Sequence, residues 1–258
     1  MLDTTSDRMQ HQVRIEDSPR RVRVFVDHVA IADSRGVKLL FETDHLPVYY
    51  FPRADVRQDL LVPTSQTTHC PYKGDARYWS IQVGNRLIEN AAWNYPSPIP
   101  SCPEIGDLVA FYWDKVDAWY EEDEEVFVHP RDPYHRVDIL ESSRHVRIAI
   151  NGVEVADTRR PRLLFETGLP TRYYIHPLDV RRELLQPSQT WTRCPYKGIA
   201  SYWSVAASGE VFTDVAWSYR APIAESTKLT GLICFYNEKV DVIVDGEPQE
   251  RPTTRWSR

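Results

Sequence analysis

The feature that most constrains the fold is a repeated pentapeptide. Cys-Pro-Tyr-Lys-Gly occurs at residues 70–74 and again at residues 194–198, an offset of 194 − 70 = 124 residues. In both copies an alanine and then Tyr-Trp-Ser follow at the same spacing. Repeats of solenoid proteins are much shorter, roughly 20–50 residues. The sequence therefore predicts two tandem copies of one domain.

The offset of 124 residues relates paired segments along nearly the whole chain. They are residues 39–43 with 163–167, 49–50 with 173–174, 55–57 with 179–181, 92–95 with 216–219, and 111–117 with 235–241. We therefore expect a first domain over residues 21–138, whose part 121–138 is an acidic, proline-containing connector, and a second domain over residues 144–247. Residues 1–20 are predicted to be a flexible leader and residues 248–258 a loose tail. Because tandem copies tend to keep the contact of a homodimer, we expect an internal pseudo-dimer with an approximate two-fold axis in a monomeric chain.

Strand signals dominate each copy. Val22, Val24 and Val26 alternate with other residues, and the counterpart hairpin carries Asn151-Gly152, a pair that favours a two-residue β-turn. Residues 52–61 and 178–185 read instead as one short helix per copy, each followed by a proline. The pattern predicts a mainly β fold of antiparallel strands with one short helix in each domain.

Composition and charge exclude several classes of protein. The 258 residues carry a net charge of −6, which argues against a nucleic-acid partner. No apolar run is long enough to cross a membrane, and the polar first residues carry no secretory signal, so we expect a cytoplasmic protein. The four cysteines form no CxxC pair, which argues against a structural zinc site, and no cofactor is expected.

Charged and thiol groups that recur at the offset are the catalytic candidates. Glu42 and Glu166 stand on apolar strands, and either line a pocket near Lys73 and Lys197 or belong to a solvated face or structural salt bridge.

Cys70 and Cys194 are candidate nucleophiles, since a nearby lysine lowers the pKa of a thiol. The alternative is a buried packing role, which is favoured because no histidine recurs beside them: His69 corresponds to Arg193.

Recurring aromatic residues are the candidate walls of a small-molecule pocket. Large rings also fill cores, which is the alternative role for many of them. The candidates are Tyr49, Tyr50, Tyr72, Trp79, Trp93 and Tyr95 in the first copy, and Tyr173, Tyr174, Tyr196, Trp203, Trp217 and Tyr219 in the second.

The repeated motifs resemble those of the DUF427 family. They are Leu-Phe-Glu-Thr, Tyr-Tyr, the Cys-Pro-Tyr-Lys-Gly turn with its Tyr-Trp-Ser strand, Ala-Trp-x-Tyr, Phe-Tyr-x-x-Lys-Val-Asp, and the connector at residues 129–133. The resemblance implies a fold similar to the β-tent, or Mss4-like, group, in which several relatives hold zinc on paired CxxC motifs that this chain lacks. A nucleotidyltransferase-like label is also attached to the family, but no phosphate-binding glycine loop supports it here.

Two classes of function follow from these features. The first is a site for an unidentified small molecule in each repeat, used for binding or for acid–base chemistry, with a Glu/Lys pair and aromatic walls. The second is a structural or interaction module without chemistry, and the two differ in whether the recurring glutamate, lysine and aromatic groups converge on one site. The family label adds a nucleotidyltransferase-like activity as a further alternative.

Overall fold

A computed structural model describes residues 11–257 of the chain. It divides into two compact units, with the boundary between Asp132 and Pro133. Each unit is built from one seven-stranded and one four-stranded sheet, and every strand pair is antiparallel. The mainly β fold in two tandem copies is therefore confirmed.

Within its described residues, 11–132, the first unit contains eleven strands. They are β1 (Val13–Asp17), β2 (Val22–Val26), β3 (Val29–Ser34), β4 (Lys38–Glu42), β5 (Val48–Pro52), β6 (Leu61–Cys70), β7 (Gly74–Val83), β8 (Arg86–Asn94), β9 (Leu108–Phe111), β10 (Ala118–Glu121) and β11 (Glu124–Val126). The large sheet has the order β1-β4-β5-β9-β8-β7-β6, and the small sheet has the order β11-β10-β2-β3.

The second unit repeats this arrangement. Its strands are β12 (Val137–Glu141), β13 (Val146–Ile150), β14 (Val153–Thr158), β15 (Arg162–Glu166), β16 (Arg172–Ile175), β17 (Leu185–Cys194), β18 (Gly198–Ala207), β19 (Glu210–Pro222), β20 (Ile233–Phe235), β21 (Asp241–Val244) and β22 (Glu247–Pro248). The sheet orders are β12-β15-β16-β20-β19-β18-β17 and β14-β13-β21-β22, so corresponding strands occupy corresponding places.

Both faces of the large sheet are buried. One face packs on the small sheet, and the other encloses a second apolar cluster that is rich in aromatic rings. Because side chains alternate along a strand, Leu39 and Tyr49 belong to the first cluster while Leu40 and Tyr50 belong to the second. Each pair of adjacent leucines or adjacent tyrosines thus contributes one side chain to each of the two apolar clusters.

The segment expected to form a helix forms two short 3₁₀ turns instead. In the first unit they are Arg53–Asp55 and Gln58–Leu60, and in the second Pro177–Asp179 and Arg182–Leu184. Val56 lies between the first two turns, is buried, and makes a β-bridge to Ala32. The extended conformation of this valine interrupts any continuous helix. Two further 3₁₀ segments are Trp113–Lys115 and Ala224–Leu229.

The chain ends differ from their sequence-based description. Strand β1 lies inside the expected flexible leader, and it pairs with β4 along its full length. Thr254, in the expected loose tail, donates a 2.6 Å hydrogen bond to Glu238. Residues 1–10 of the leader and residue 258 lie outside the described residues. Within residues 11–257 no helix is long and apolar enough to cross a membrane.

Candidate functional site

The Cys-Pro-Tyr-Lys-Gly motif forms the turn between β6 and β7. The N–H of Lys73 donates to the carbonyl of Cys70 at 3.3 Å, and the carbonyl of Lys73 accepts from Ile99 at 3.2 Å. Gly74 has a φ of +102°, and a Cβ there would lie 3.2 Å from the carbonyl oxygen of Ser97. Only glycine suits such a backbone at such a distance. The motif therefore fixes the position from which the lysine side chain extends.

This lysine forms a buried ion pair with the glutamate of the Leu-Phe-Glu-Thr strand. Lys73 contacts Glu42, with only 8% and 11% of the two side chains exposed. In the second unit Lys197 Nζ lies 2.5 Å from Glu166 Oε2. Three strands separate β4 from β7 in the sheet. The sheet must therefore curve around its aromatic cluster, and the ion pair bridges its two ends.

A histidine completes a triad in each unit. His11 Nε2 lies 3.0 Å from Glu42 Oε1, and His135 Nε2 lies 3.0 Å from Glu166 Oε1. The threonine after each glutamate anchors the segment that carries the histidine: Gln12 N–H donates to Thr43 Oγ1 at 2.9 Å, and Arg136 does the same to Thr167. We call His11, Glu42 and Lys73 the first triad, and His135, Glu166 and Lys197 the second.

The local sequence does not single out these two histidines. His11 falls in the expected flexible leader and His135 in the expected connector, outside the motifs that suggest site residues. The signal that could have found them is the repeat itself, since 135 − 11 = 124.

The tyrosine of the turn covers one face of each histidine. The rings of Tyr72 and His11 stack with centroids 3.5 Å apart and planes 12° apart. Tyr196 stacks on His135 at 4.2 Å and 23°. With one face stacked and Nε2 held by the glutamate, each imidazole has little rotational freedom. Among the described residues, no side chain or backbone group bonds the remaining ring nitrogen, Nδ1.

The electrostatics of the first triad keep its carboxylate ionised. Burial opposes the charge on Glu42, but hydrogen bonds from Lys73 and His11 outweigh it and hold the pKa of this carboxyl below its usual value. A buried ammonium likewise needs its carboxylate partner. The glutamate is thus shared between a lysine that fixes its charge and a histidine that it orients.

Three of the predicted aromatic residues in each unit lie in the cluster under the triad. They are Tyr50, Trp93 and Tyr95 in the first unit, and Tyr174, Trp217 and Tyr219 in the second. The ammonium of Lys73 lies 5.8 Å from the centre of the Tyr95 ring. Burial raises the pKa of both Tyr50 and Tyr95, so these phenols stay neutral at ordinary pH.

The other predicted aromatic residues lie on the opposite face of the large sheet. Tyr49, Trp79, Tyr173 and Trp203 pack in or against the cluster between the two sheets. The hydroxyl of Tyr49 donates to Glu121 at 2.7 Å, far along the chain from the triad. These four side chains are not brought together with the Glu/Lys pair, because alternation along their strands directs them to the other face.

The thiols of Cys70 and Cys194 are free and half-buried, and Cys70 packs against the aromatic cluster. Within residues 11–257 neither thiol makes a hydrogen bond to the triad histidine, so a base for a nucleophilic cysteine is not in place. Cys102 stands where the second unit has Ser226, whose hydroxyl donates to the Tyr196 carbonyl at 2.9 Å. Burial raises the pKa of the Cys102 thiol, which disfavours its reactive form.

No group of three or more histidine, cysteine or carboxylate side chains within residues 11–257 is placed to share a metal ion. The expectation that the protein carries no structural zinc rests on the missing CxxC pairs and stays a prediction. Elemental analysis of protein purified without chelator would test it, and one protein-bound zinc per domain would contradict it.

Comparison with known proteins agrees with the duplicated architecture. A search of curated proteins finds no match to the chain. One family model, described as a domain of unknown function (DUF427), matches residues 14–122 and again residues 138–246. Both matched segments include the strand that precedes each predicted domain, β1 in one case and β12 in the other. The chain therefore belongs to the DUF427 family, of which it contains two tandem copies.

Proposed function

We propose that each domain binds a small molecule beside its triad, and that the histidine acts as the acid–base group of the site. The observation that supports this most directly is the 3.0 Å contact between histidine and glutamate, which recurs in both domains. The same three residue types, with a tyrosine stacked on the histidine, are kept in both domains although much of the sequence around them differs.

The chemistry of the triad suits proton transfer. When the imidazole is neutral, a hydrogen bond from Nε2–H to the glutamate leaves the lone pair on Nδ1. The Nδ1 atom can then accept a proton from a bound molecule, and the nearby carboxylate stabilises the imidazolium that forms. The lysine keeps the glutamate ionised for this task. Each residue of the triad thus has a separate role: base, orienting group and charge anchor.

The surroundings indicate what could bind. Tyr72 is 42% exposed and continues the aromatic surface outward from the histidine. Ligand sites are commonly apolar surfaces with a few polar groups that fix orientation. A small molecule with a flat apolar part and one exchangeable proton would match the ring and Nδ1 together. The free state of all four cysteines is also consistent with the cytoplasmic location that we propose.

A purely structural role is the competing function, and it has an observation of its own. The ion pair joins the two ends of a curved sheet, so it could serve only to hold the sheet closed. In that case the histidine merely fills the remaining acceptor site of the glutamate. The two functions differ in what loss of the histidine does to ligand binding compared with stability.

Ligand-observed NMR with a library of fluorinated fragments tests the proposal. We expect fragments that bind the wild-type protein to lose binding in the double variant His11→Gln/His135→Gln. The unfolding free energy of each domain should change by about 1 kcal/mol or less, because the glutamine amide can still donate to the glutamate. The exposed His69→Gln is the matched control and should bind as the wild type does. Equal binding by the double variant, or no bound fragment at all, would leave only the structural role.

A further inference from the structure

A second candidate site lies in the second unit, at the opposite end of β15 from the triad. A cleft of about 540 Å³ opens between the β12–β13 connection, the β14–β15 connection, and the residue that follows β16. Arg162 at the start of β15 lines it, whereas Glu166 of the triad ends that strand. Four residues of extended strand span about 13 Å. The cleft is therefore separate from the triad and independent of the function proposed for it.

Two of its arginines are held in place by local partners. Arg160 makes a two-pronged contact with Asp179, at 2.9 and 2.8 Å. Arg162 donates to the carbonyl of Lys228 at 2.6 Å and to Glu141 at 3.2 Å. Each of these guanidinium groups thus faces one carboxylate, which fixes its position and offsets its charge.

A third arginine leaves the cleft with an uncompensated positive charge. Arg159 is exposed at the rim and has no hydrogen-bond or ion-pair partner among residues 11–257. His176 also lines the cleft, and its Nδ1 accepts from Leu178 N–H at 3.2 Å, which leaves Nε2–H of the neutral ring as a donor. The hydroxyl groups of Ser142 and Ser143 are further donors on the lining. The lining carries three arginines and one glutamate, although the whole chain is acidic.

The first unit lacks part of this set of donors. At the same offset, Arg160 corresponds to Gly36, His176 to Pro52 and Ser143 to Pro19, whereas Arg159, Arg162 and Ser142 have comparable counterparts in Arg35, Lys38 and Ser18. The backbone of the two units is alike, so the fold itself does not require these side chains. The second copy has Ser143, Arg160 and His176 in addition to the groups that both copies share, and their convergence on one cleft points to a ligand.

We propose that this cleft binds a phosphorylated small molecule. Arginine forks match the oxygens of a phosphate, and their hydrogen bonds to it are charge-assisted. Arg159 supplies the free charge, Arg162 and His176 supply further donors, and Pro161 with Leu232 offers an apolar wall. The cleft falls within the range of about 300–1,000 Å³ that is typical of small-molecule sites. It therefore has room for more than a phosphate group.

Isothermal titration calorimetry on the full chain tests this site, with phenyl phosphate, inorganic phosphate and anisole as probes. We expect phenyl phosphate to bind once per chain, inorganic phosphate to bind more weakly, and anisole, which has the ring but neither a phosphate nor an exchangeable proton, not to bind. Arg159→Met should weaken phenyl phosphate binding at least tenfold, since it removes one charge-assisted contact. The matched control is Arg35→Met, the same change at the corresponding position of the first unit, which should leave binding unchanged.

The outcomes separate this proposal from the function of the triad. His135→Gln should bind phenyl phosphate as tightly as the wild type does. Arg162→Met is a second test, because it removes a donor from within the cleft, and a thermal melt shows whether the variant is folded. Inorganic phosphate that binds as tightly as phenyl phosphate would overturn the assignment to a phosphorylated molecule. No binding of phenyl phosphate, or equal losses in Arg159→Met and Arg35→Met, would overturn the site itself.

Discussion

At the residue scale, the glutamate of each triad has two roles. It neutralises a buried lysine, and it accepts a hydrogen bond from a histidine. Breaking a buried ion pair by removing one partner costs more than removing both, because the group left behind is an unpaired buried charge. The stability of the domain and the orientation of the histidine therefore depend on the same carboxylate.

Replacement of Glu166 by glutamine should destabilise the second domain by about 3 kcal/mol. This is the lower end of the range for breaking a buried ion pair, because the glutamine amide still offers Lys197 a hydrogen-bond acceptor. Lys197→Met should have a comparable effect, and the double variant should be more stable than the sum of the two losses predicts. Urea unfolding measures all three. The exposed pair Arg181 and Glu183 is the matched control, for which Glu183→Gln should cost about 0–1 kcal/mol. Small additive effects at the triad would show that the pair is not effectively buried.

The lowered pKa of Glu42 makes the stability of the first domain depend on pH. Its carboxyl has a lower pKa when folded than the ordinary value of 4.5, so the folded state favours the ionised form. This contribution is fully present above about pH 4.5 and is lost as the pH falls through the folded-state pKa. Urea midpoints between pH 7 and pH 3 should decline less steeply in Glu42→Gln than in the wild type. The exposed Glu89→Gln is the control, and an identical decline in Glu42→Gln would contradict the lowered pKa.

At the element scale, the turn before β18 requires glycine for two separate reasons. Gly198 has a φ of +98°, and a Cβ there would lie 3.3 Å from backbone atoms of Ala221, Pro222 and Ile223. Gly209, in another hairpin of the same unit, has a φ of +79° but open space around it. A side chain would strain the backbone at both glycines. Only at Gly198 would it also crowd neighbouring backbone atoms.

Gly198→Ala should therefore destabilise the second domain more than Gly209→Ala does. We expect Gly209→Ala to lower the unfolding free energy by about 1–2 kcal/mol through backbone strain alone. Gly198→Ala should lower it further, because neighbouring backbone atoms must also shift. Chemical denaturation of the two variants gives the difference. Equal losses would mean that the turn has room for a methyl group and does not fix Lys197 closely.

The C-terminal segment, which the sequence predicts to be a loose tail, contacts the second domain in the structure. Arg172 and Glu238 form a two-pronged buried ion pair, with atoms 2.6 and 2.7 Å apart, and Thr254 donates to the same carboxylate. The ring of Trp256 lies 6.2 Å from that of Tyr236 beside the pair. The first unit has Val48 and Asp114 at the corresponding positions, so this contact belongs to the second domain alone.

Thr254→Val should cost about 1.5–3 kcal/mol, the range for a hydrogen bond to a charged group. The adjacent Thr253 is exposed, and Thr253→Val should be nearly silent. Thermal and urea unfolding of both variants would check the difference. If both changes are silent, the segment adds nothing to stability and behaves as the loose tail that its composition suggests.

At the scale of the whole molecule, most of the fold that could be predicted from the sequence follows from the repeat. The constant offset fixes two copies of one strand order, and alternation along the strands places Tyr49 and Tyr50 on opposite faces. The recurrence of both residues suggested a contact between Glu42 and Lys73 only as one alternative, beside a solvated face or a structural salt bridge.

The features that the sequence could not predict depend on contacts between residues that are distant in sequence. Strand β1 has weak local signals and exists because β4 offers it an edge. The histidine before it becomes a site residue only when the curved sheet brings the turn to the same carboxylate. The spacing of apolar residues in the 3₁₀ turns fits a helix, and the β-bridge that prevents one joins Val56 to Ala32, which is distant in sequence.

The boundary between the two compact units lies before Pro133, so that β12 belongs to the second unit. Each unit has its own pair of sheets and its own two apolar clusters, so each should fold alone. We expect residues 133–258 to give a dispersed NMR spectrum and a cooperative melt. The matched control is residues 144–258, which begins where the sequence pattern alone sets the domain. It lacks β12, whose five residues pair with β15, and it lacks His135 as well. It should be unfolded or less stable by several kcal/mol, since it exposes the edge of β15 and the partly buried Glu166. Equal stability of the two fragments would show that β12 is dispensable and that the domain begins at residue 144.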